Sequence, residues 1–395
     1  MNLSTAITGL PGYQISEVEW EGGEVRIRAR HAGPVACPAC GSERLRTKDR
    51  YVREVRHENW GFRRCVLELE GRKFHCRDCG RYFRQRFPGI LPWQRSSEVF
   101  QRWIFPLHWD GVNRSRLGRR QGLSAATVER YFRRQLQRRF GQWHSKRCPP
   151  VLGLDEQFFS RRQGYATTLC DLRRHKVFDV VLGRGQAALE SYFQRLEGKE
   201  RVRVVCMDLA SAYRALVRKH FPKARIVADR FHVIRLINQH FLACWRELDP
   251  AASKNRGLLS LIRRHRHHLT EEQRRKLEAY FDQQPVVRLI YRFKQRLCYL
   301  LLKKHRTRRQ CEKLIPRFLR AVQQLREAGL AQLVSLGETL WSWREEIVTM
   351  WRFTRNNGIT EGFHNKMELL KRQAYGFRSF NNYRMRVKIL CAGMD

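Results

Sequence analysis

The chain has 395 residues, enough for two or three domains, because a domain usually holds roughly 100 to 200 residues. Its 79 Lys and Arg against 37 Asp and Glu give a formal net charge of +42, so we expect a polyanionic partner. Aromatic residues interleave with the basic ones, which favours nucleic acid over a membrane. No segment resembles a signal peptide or a transmembrane helix, so we expect a soluble, cytoplasmic protein with no membrane partner.

Residues 1–90 alternate in the manner of β-strands around two Cys-x-x-Cys pairs, each followed by a glycine. Two such knuckles form a tetrahedral four-sulfur site, so we predict a β-rich module that holds one structural Zn2+. The expected ligands are Cys37, Cys40, Cys76 and Cys79. A redox role would require one pair beside a βαβ pattern, which this region lacks. His57 and His75 are weaker candidates for a ligand position.

Residues 91–148 become helical and strongly basic, and Pro149-Pro150 marks a linker after them. A helix, a turn at Gly122, an N-cap at Ser124 and a second helix have the spacing of a helix-turn-helix DNA-binding domain. The second-helix residues expected to contact the DNA groove or its phosphates are Thr127, Arg130 and Arg134. The alternative is a basic pair of helices that reads no bases.

Residues 149–234 alternate apolar strands with helices, as a meander of three strands followed by two strand-helix units. This order predicts an α/β RNase H-like catalytic domain with a mixed five-stranded sheet. Residues 235–353 show only helical patterns, which predicts an all-α insertion. Residues 354–395 then supply the final helix and C-terminal segment of the catalytic domain. The Arg and His cluster at 263–268 could suggest a metal site, but its alternation with arginine favours a helix that faces phosphate or is merely exposed.

Two acids are placed to meet in such a sheet. Asp155 lies within the first strand and Asp208 ends the fourth, and these strands are neighbours in an RNase H-like order. Either residue alone could be a turn cap, but convergent carboxylates favour Mg2+ or Mn2+. Two such ions about 3.5 to 4 Å apart can stabilise the attacking and leaving oxygens of a phosphodiester displacement. We expect the third ligand, Glu361, to come from a helix packed over the sheet.

Two other acids compete with Glu361 for the third position. Glu156 directly follows Asp155 on the strand, so its side chain should point to the opposite face of the sheet. Glu368 lies two helical turns beyond Glu361, a displacement of about 10 Å at a rise of 1.5 Å per residue. We therefore expect neither to share the metal ions.

Several motifs resemble the ISL3 family of insertion-sequence transposases: GLDEQFF at 153–159, MDLASAY at 207–213, ADRFHVIRLIN at 228–238, and the long motif at 356–390. With the paired Cys motifs and the helix-turn-helix, the resemblance covers nearly the whole chain. It implies a DDE transposase that binds the terminal inverted repeats of its own element. The enzyme would cut there with metal ions and join the freed 3'-OH to target DNA. By motif match, the acidic triad falls on Asp155, Asp208 and Glu361.

The resemblance also suggests accessory residues and partners. The accessory candidates are Asp229, His232 and Asn365, although Asp229 could instead cap a helix. The basic residues expected near the scissile phosphates are Lys371, Arg372 and Arg378. We expect a homodimer or higher homo-oligomer that pairs two ends of double-stranded DNA in a bacterial nucleoid. The rival functions are a structure-selective nuclease of the same fold, which would cut without joining, and a non-catalytic regulator derived from a transposase.

Overall fold

The computed structural model describes residues 3–143, 147–353 and 358–391. The chain divides into two compact units, Met1–Gln142 and Trp143–Asp395. Each unit has its own sheet and its own apolar cores. Within these described ranges, no helix combines the length and apolar character that crossing a bilayer requires.

The first unit begins with a short helix and five strands. They are α1 (Leu3–Thr8), β1 (Tyr13–Glu21), β2 (Glu24–His31), β3 (Leu45–Trp60), β4 (Arg63–Cys76) and β5 (Tyr82–Arg84). The sheet order is β1-β2-β4-β3, and β5 pairs with β4. In β2, buried Val25, Ile27 and Ala29 alternate with more exposed polar residues, because successive side chains point to opposite faces. The predicted β-rich module is therefore confirmed.

Three helices complete the first unit: α2 (Glu98–Trp109), α3 (Arg114–Gln121) and α4 (Ala125–Trp143). Gly122 ends α3 with a φ of 65°, a left-handed conformation that glycine adopts without a steric penalty. The helices share a small apolar core, whose buried members are Phe100, Ile104, Leu117, Val128 and Tyr131.

The sheet of the second unit has the strand order that the sequence predicts. Its strands are β6 (Val151–Ser160), β7 (Gly164–Asp171), β8 (Lys176–Leu182), β9 (Val204–Met207) and β10 (Arg225–Ala228). The order is β10-β9-β6-β7-β8, with antiparallel pairing from β6 to β8 and parallel pairing among β6, β9 and β10. This arrangement confirms the mixed five-stranded, RNase H-like sheet.

Helices cover both faces of this sheet. On one face lie α5 (Gln186–Gln194) and α6 (Ser211–His220), which share an apolar core with Leu152 and Leu154 of β6. A second core joins the sheet to α14 (Gly358–Gln373) and α15 (Phe380–Leu390). Asp179 of β8 holds α15 in place, because it accepts hydrogen bonds from Arg384 Nε at 2.6 Å and Nη2 at 2.5 Å.

The segment between β10 and α14 is helical, as predicted. Its helices are α7 (Arg230–Leu248), α8 (Arg256–Arg263), α9 (Glu271–Gln283), α10 (Pro285–Leu301), α11 (Arg308–Arg326), α12 (Ala331–Ser342) and α13 (Arg344–Thr349). Arg230 joins this insertion to the end of β10: its buried guanidinium donates to the carbonyl oxygens of Leu301, Lys303 and Met350. Since these carbonyls end or follow helices, the arginine supplies donors that the helix ends lack.

Candidate active site and metal centres

The acidic pair lies just beyond the point where the parallel pairing of β6 with β9 ends. Gly153 of β6 is paired with Cys206 of β9, and Asp155 and Asp208 each follow two residues later. Because side chains alternate along a strand, a shared step of two residues keeps both acids on one side of the sheet. A carboxylate oxygen from each acid and a ring nitrogen of His232 lie within 4.8 Å of one another.

Burial and mutual repulsion raise the affinity of both carboxyl groups for protons. Asp155 is only 9 % exposed; burial raises its pKa to about 7, with smaller contributions from the charges of Asp229, Glu156 and Glu361. Burial also raises the pKa of Asp208 to about 8, and the charge of Asp155 adds to the shift. Since both shifts arise from uncompensated negative charge in a sheltered place, a bound cation would relieve them.

His232 of α7 lies beside the second acid. Its Nε2 is 3.0 Å from Asp208 Oδ1 and 3.6 Å from Asp229 Oδ2. Burial, followed by the charge of Arg235, lowers the pKa of His232, so its imidazole is neutral near pH 7. A neutral imidazole offers a nitrogen lone pair to a proton or to a metal ion. Asp229, which is buried, accepts a hydrogen bond from Phe231 N and thereby caps α7.

A second imidazole, His364 of α14, reaches the first acid. Its Nδ1 is 3.8 Å from Asp155 Oδ2, and its Nε2 is 3.2 Å from Thr168 Oγ1. Burial lowers the pKa of His364 to about 4. No sequence motif singles out His364 as a site residue, although its position one helical turn after Glu361 is a usable signal.

Glu361 lies in the first turn of α14 and is exposed. It is on the same side of the helix as His364, and its charge contributes to the raised pKa of Asp155. Among the described residues, the group of ligand atoms within 4.8 Å of one another does not include Glu361. Asn365, one turn further, is also exposed. The preceding Asn356 and Asn357, which begin the long motif at 356–390, lie outside the described residues.

Glu156, the first of the two competing acids, lies on the opposite face of the sheet from Asp155. Asp155 faces α14 through His364, whereas the strand partner of Glu156 is Thr167, whose hydroxyl contacts Tyr213 of α6. Neighbouring residues of β6 thus face opposite layers of helices, as the alternation of a strand predicts.

The basic residues that follow Glu361 are partly engaged within the protein. Lys371 Nζ donates to Phe158 O at 2.7 Å and lies 2.6 Å from a carboxylate oxygen of Glu368. Arg372 Nε lies 3.6 Å from the other Glu368 oxygen, and its side chain is 77 % exposed. Arg378 is exposed as well. Glu368 therefore pairs most closely with Lys371 on its own helix, while the exposed side chains of Arg372 and Arg378 are accessible to an anion.

The first unit holds the second candidate metal centre, made by the four paired cysteines. Cys37 Sγ lies 3.6 Å from Cys79 Sγ, and Cys40 Sγ lies 3.6 Å from Cys76 Sγ. A tetrahedral zinc ion with Zn–S bonds of about 2.3 Å would separate its sulfurs by about 3.8 Å. All four sulfurs are within 4.8 Å of one another. The geometry therefore fits one Zn2+ with sulfur ligands.

Two glycine turns shape these knuckles. Gly41 N donates to Cys37 O at 2.9 Å and Gly80 N donates to Cys76 O at 3.0 Å. Both glycines have left-handed φ angles, of 75° and 69°. Hydrogen bonds from the backbone N–H groups of Ala39 and Cys40 lower the pKa of Cys37 to about 6, which favours the thiolate that binds metal.

The two histidines considered as alternative ligands have other contacts. His57 is buried and its Nδ1 lies 2.8 Å from Ser97 Oγ. The ring of His75 packs against Tyr82, with centroids 4.5 Å apart. Neither histidine belongs to the group of four cysteine sulfurs that lie within 4.8 Å of one another.

The N-terminal half of α4 carries the residues predicted to contact DNA. Thr127 N donates to Ser124 Oγ at 3.1 Å, which caps the helix as expected. Arg130 is exposed, and its Nη2 donates to Thr127 Oγ1 at 3.3 Å. Arg134 is half-buried and donates to Gln101 Oε1 of α2 at 2.7 Å. Arg130 is therefore the more accessible of the two arginines.

Comparisons with known proteins bear on both units. Residues 152–387 match the ISL3 family of DDE transposases. Residues 33–79 match the zinc finger of the IS204/IS1001/IS1096/IS1165 transposases. Over 412 aligned positions, the chain is 23 % identical to the transposase for insertion sequence element IS1001 of Bordetella parapertussis. The alignment covers 99 % of this chain and 98 % of that relative.

Proposed function

Because this chain belongs to the ISL3 family of transposases, we propose that it acts as a DDE-type enzyme on the ends of its own insertion sequence. It binds the terminal inverted repeats, cuts the DNA there and joins the freed 3'-OH to target DNA. The observation that carries this proposal is the convergence of the Asp155 and Asp208 carboxylates at the edge of an RNase H-like sheet.

The donor set at this edge fits Mg2+ or Mn2+. Both ions prefer oxygen ligands, and two sheltered carboxylates with raised pKa values need a counter-charge. We propose Asp155 and Asp208 as ligands and Glu361 as the third acid. Two bound ions would supply charge stabilisation to the oxygens of the phosphodiester.

The neighbouring side chains position these ligands. His232, neutral and 3.0 Å from Asp208, restrains that carboxylate and can receive a proton when a cation displaces it. His364 Nδ1 lies 3.8 Å from Asp155 Oδ2, and its ring limits the positions that this carboxylate can adopt. Because His364 and Glu361 lie on one side of α14, the helix that brings the imidazole to Asp155 also carries the third acid towards the pair.

We propose a structural role for one Zn2+ bound by the four cysteines. Sulfur ligands fill a tetrahedral shell, so this ion would have no open position for a substrate. It would hold the knuckle that precedes β3 to the knuckle at the end of β4 and thereby order this part of the first unit.

Both the net positive charge of the chain and its family support DNA as the binding partner. A net charge of +42 favours a polyanion, and Arg130, Arg372 and Arg378 remain accessible to phosphates. We propose that α4 enters the DNA groove. Because two element ends must be cut and joined together, we also propose that the enzyme acts as a homodimer or higher homo-oligomer at the bacterial nucleoid.

Charge-removing substitutions test the catalytic proposal. Purified Asp155→Asn, Asp208→Asn and Glu361→Gln proteins should bind end DNA but lose Mg2+-dependent cleavage and strand transfer. Glu368→Gln is the matched control on α14, and it should retain most activity. The substrate is a duplex that carries an inverted repeat found beside the gene.

Three results would contradict parts of this scheme. Cleavage by Asp155→Asn at the wild-type rate would remove the acidic pair from the chemistry. If Glu361→Gln remained active and Glu368→Gln lost cleavage and strand transfer, Glu368 would be the third acid instead of Glu361. If the protein cuts end DNA but never joins the cut end to target DNA, the nuclease mechanism would be favoured over the transposase mechanism.

A further inference from the structure

An open groove of about 380 Å³ runs along an exposed face of α7, and its volume is within the range of about 300 to 1000 Å³ typical of small-ligand sites. Its main lining residues are Phe231, Ile234, Arg235, Asn238, Gln239 and Arg263. Most of them recur every three or four positions, so one helix face forms the floor, and Arg263 at the end of α8 contributes to the wall.

The groove begins beside the acidic pair. Phe231 directly precedes His232, and their ring centroids are 5.5 Å apart in an edge-on arrangement. His232 Nε2 is in turn 3.0 Å from Asp208 Oδ1. A molecule lying in the groove against Phe231 is therefore next to the site where we propose that DNA is cut.

The chemistry of the lining matches a nucleotide. Phe231 is 53 % exposed, which leaves a ring face free for stacking. Arg235 and Arg263 supply positive charge for a phosphate, and the lining contains no acid.

The amides of the groove suit the edge of a base. Asn238 and Gln239 each carry a donor and an acceptor, the groups that hydrogen-bond to nucleobases. Asn238 Oδ1 is sheltered and has no hydrogen-bond partner among the described residues. Since sheltered polar atoms are nearly always paired, a rotation of this amide towards a ligand would satisfy it.

We propose that this groove binds one unpaired base of the DNA strand next to the scissile phosphate. A base inside a duplex has both faces covered by its neighbours, so it can stack on Phe231 only after leaving the helix. The inference rests on the proposed function, because it takes the acidic pair as the place of cleavage. It adds a site that would hold the strand while the phosphate lies at the acids.

Photo-crosslinking tests the groove without requiring catalysis. The probe is a short oligothymidine with one 5-iododeoxyuridine, used single-stranded or paired with oligodeoxyadenosine, in metal-free buffer with the full chain. Mass spectrometry should map the main crosslink of the single-stranded probe to the peptide that contains Phe231. The duplex probe should give far less of this product.

Matched variants make the result specific. Phe231→Ala should lower the yield of that crosslink about five-fold or more, as expected for the loss of one stacked base. Phe231→Trp should retain it. Tyr299→Ala removes another exposed aromatic residue, 68 % exposed on α10, and should change nothing. A crosslink that maps elsewhere, forms equally in the duplex, or survives in Phe231→Ala would overturn the proposal.

The same variants separate this proposal from the catalytic one. Phe231→Ala should cut fully paired end DNA slowly, and a mismatch beside the scissile phosphate should restore the rate, because the base is already unpaired. If Asp155→Asn cuts DNA normally, the proposed active site fails whatever the crosslink shows. If Asp155 is essential but Phe231→Ala cuts paired and mismatched ends at the wild-type rate, only the groove proposal fails.

Discussion

Replacing Asp155 by Asn should stabilise the metal-free protein, although it should also abolish cleavage. Asparagine has nearly the same shape, and its side-chain oxygen can still accept the hydrogen bond that Asp155 Oδ1 accepts from Glu156 N at 2.8 Å. The substitution removes a negative charge from a position that is only 9 % exposed and close to Asp208. We expect stabilisation because the buried negative charge of Asp155 is unfavourable when no cation is bound.

The pKa of Asp155 sets the size of the effect. Burial raises this pKa from 3.8 to about 7. The folded chain therefore keeps a proton that the unfolded chain releases, and the free energy of unfolding falls as the pH rises between these values. At about 1.36 kcal/mol per pH unit, the stability lost is about 2 kcal/mol at pH 5 and about 4 kcal/mol at pH 8. Asparagine does not titrate, so Asp155→Asn should recover these amounts.

Urea unfolding in EDTA, followed by tryptophan fluorescence at pH 5 and pH 8, measures the gain. Mg2+ should stabilise the wild type at pH 8, and this response should be lost in Asp155→Asn. Asp171→Asn is the control and should change neither quantity. Asp171 is the last residue of β7, and its side chain accepts hydrogen bonds from Arg173 N and Arg174 N of the following turn. An Asp155→Asn protein less stable than wild type at pH 8, or equally stabilised at both pH values, would refute the reasoning.

Three further predictions concern the zinc site, the DNA interface and the sheet. Cys40→Ser or Cys79→Ser should lose one zinc ion per chain, as measured by elemental analysis, while the second unit keeps its Mg2+-sensitive unfolding transition. A wild-type protein in which elemental analysis detects no zinc would contradict this prediction. Arg130→Ala should lower the ratio of affinities for end DNA and random DNA in a binding assay, whereas an equal loss for both would indicate a phosphate contact only. Arg384→Met leaves the buried carboxylate of Asp179 without its main partner, so thermal unfolding should show a loss of about 3 to 5 kcal/mol, and an unchanged melting temperature would count against that ion pair as a clamp on α15.

Several features follow from sequence spacing alone, because they depend on short-range geometry. Two Cys-x-x-Cys pairs with trailing glycines predict the knuckles, and the sulfurs do lie together. The alternation of a strand places Glu156 and Asp155 on opposite faces. The order of strands and helices from 149 onwards predicts the RNase H-like sheet, which the structure confirms. The first two inferences use a local turn or a fixed period, and the third uses the order of elements along the chain.

Other features depend on contacts between elements far apart in the chain. His364 reaches Asp155 across more than half of the second unit's sequence, and Arg134 turns to Gln101 instead of projecting freely from α4. The groove along α7 exists because α8 returns to place Arg263 at its wall. The periodicity of a sequence indicates which face of a helix is apolar. The element that packs against this face depends on the packing of the whole core. The sequence therefore determined the types of element and the two candidate metal centres, while only the tertiary structure decided which histidines and arginines surround them.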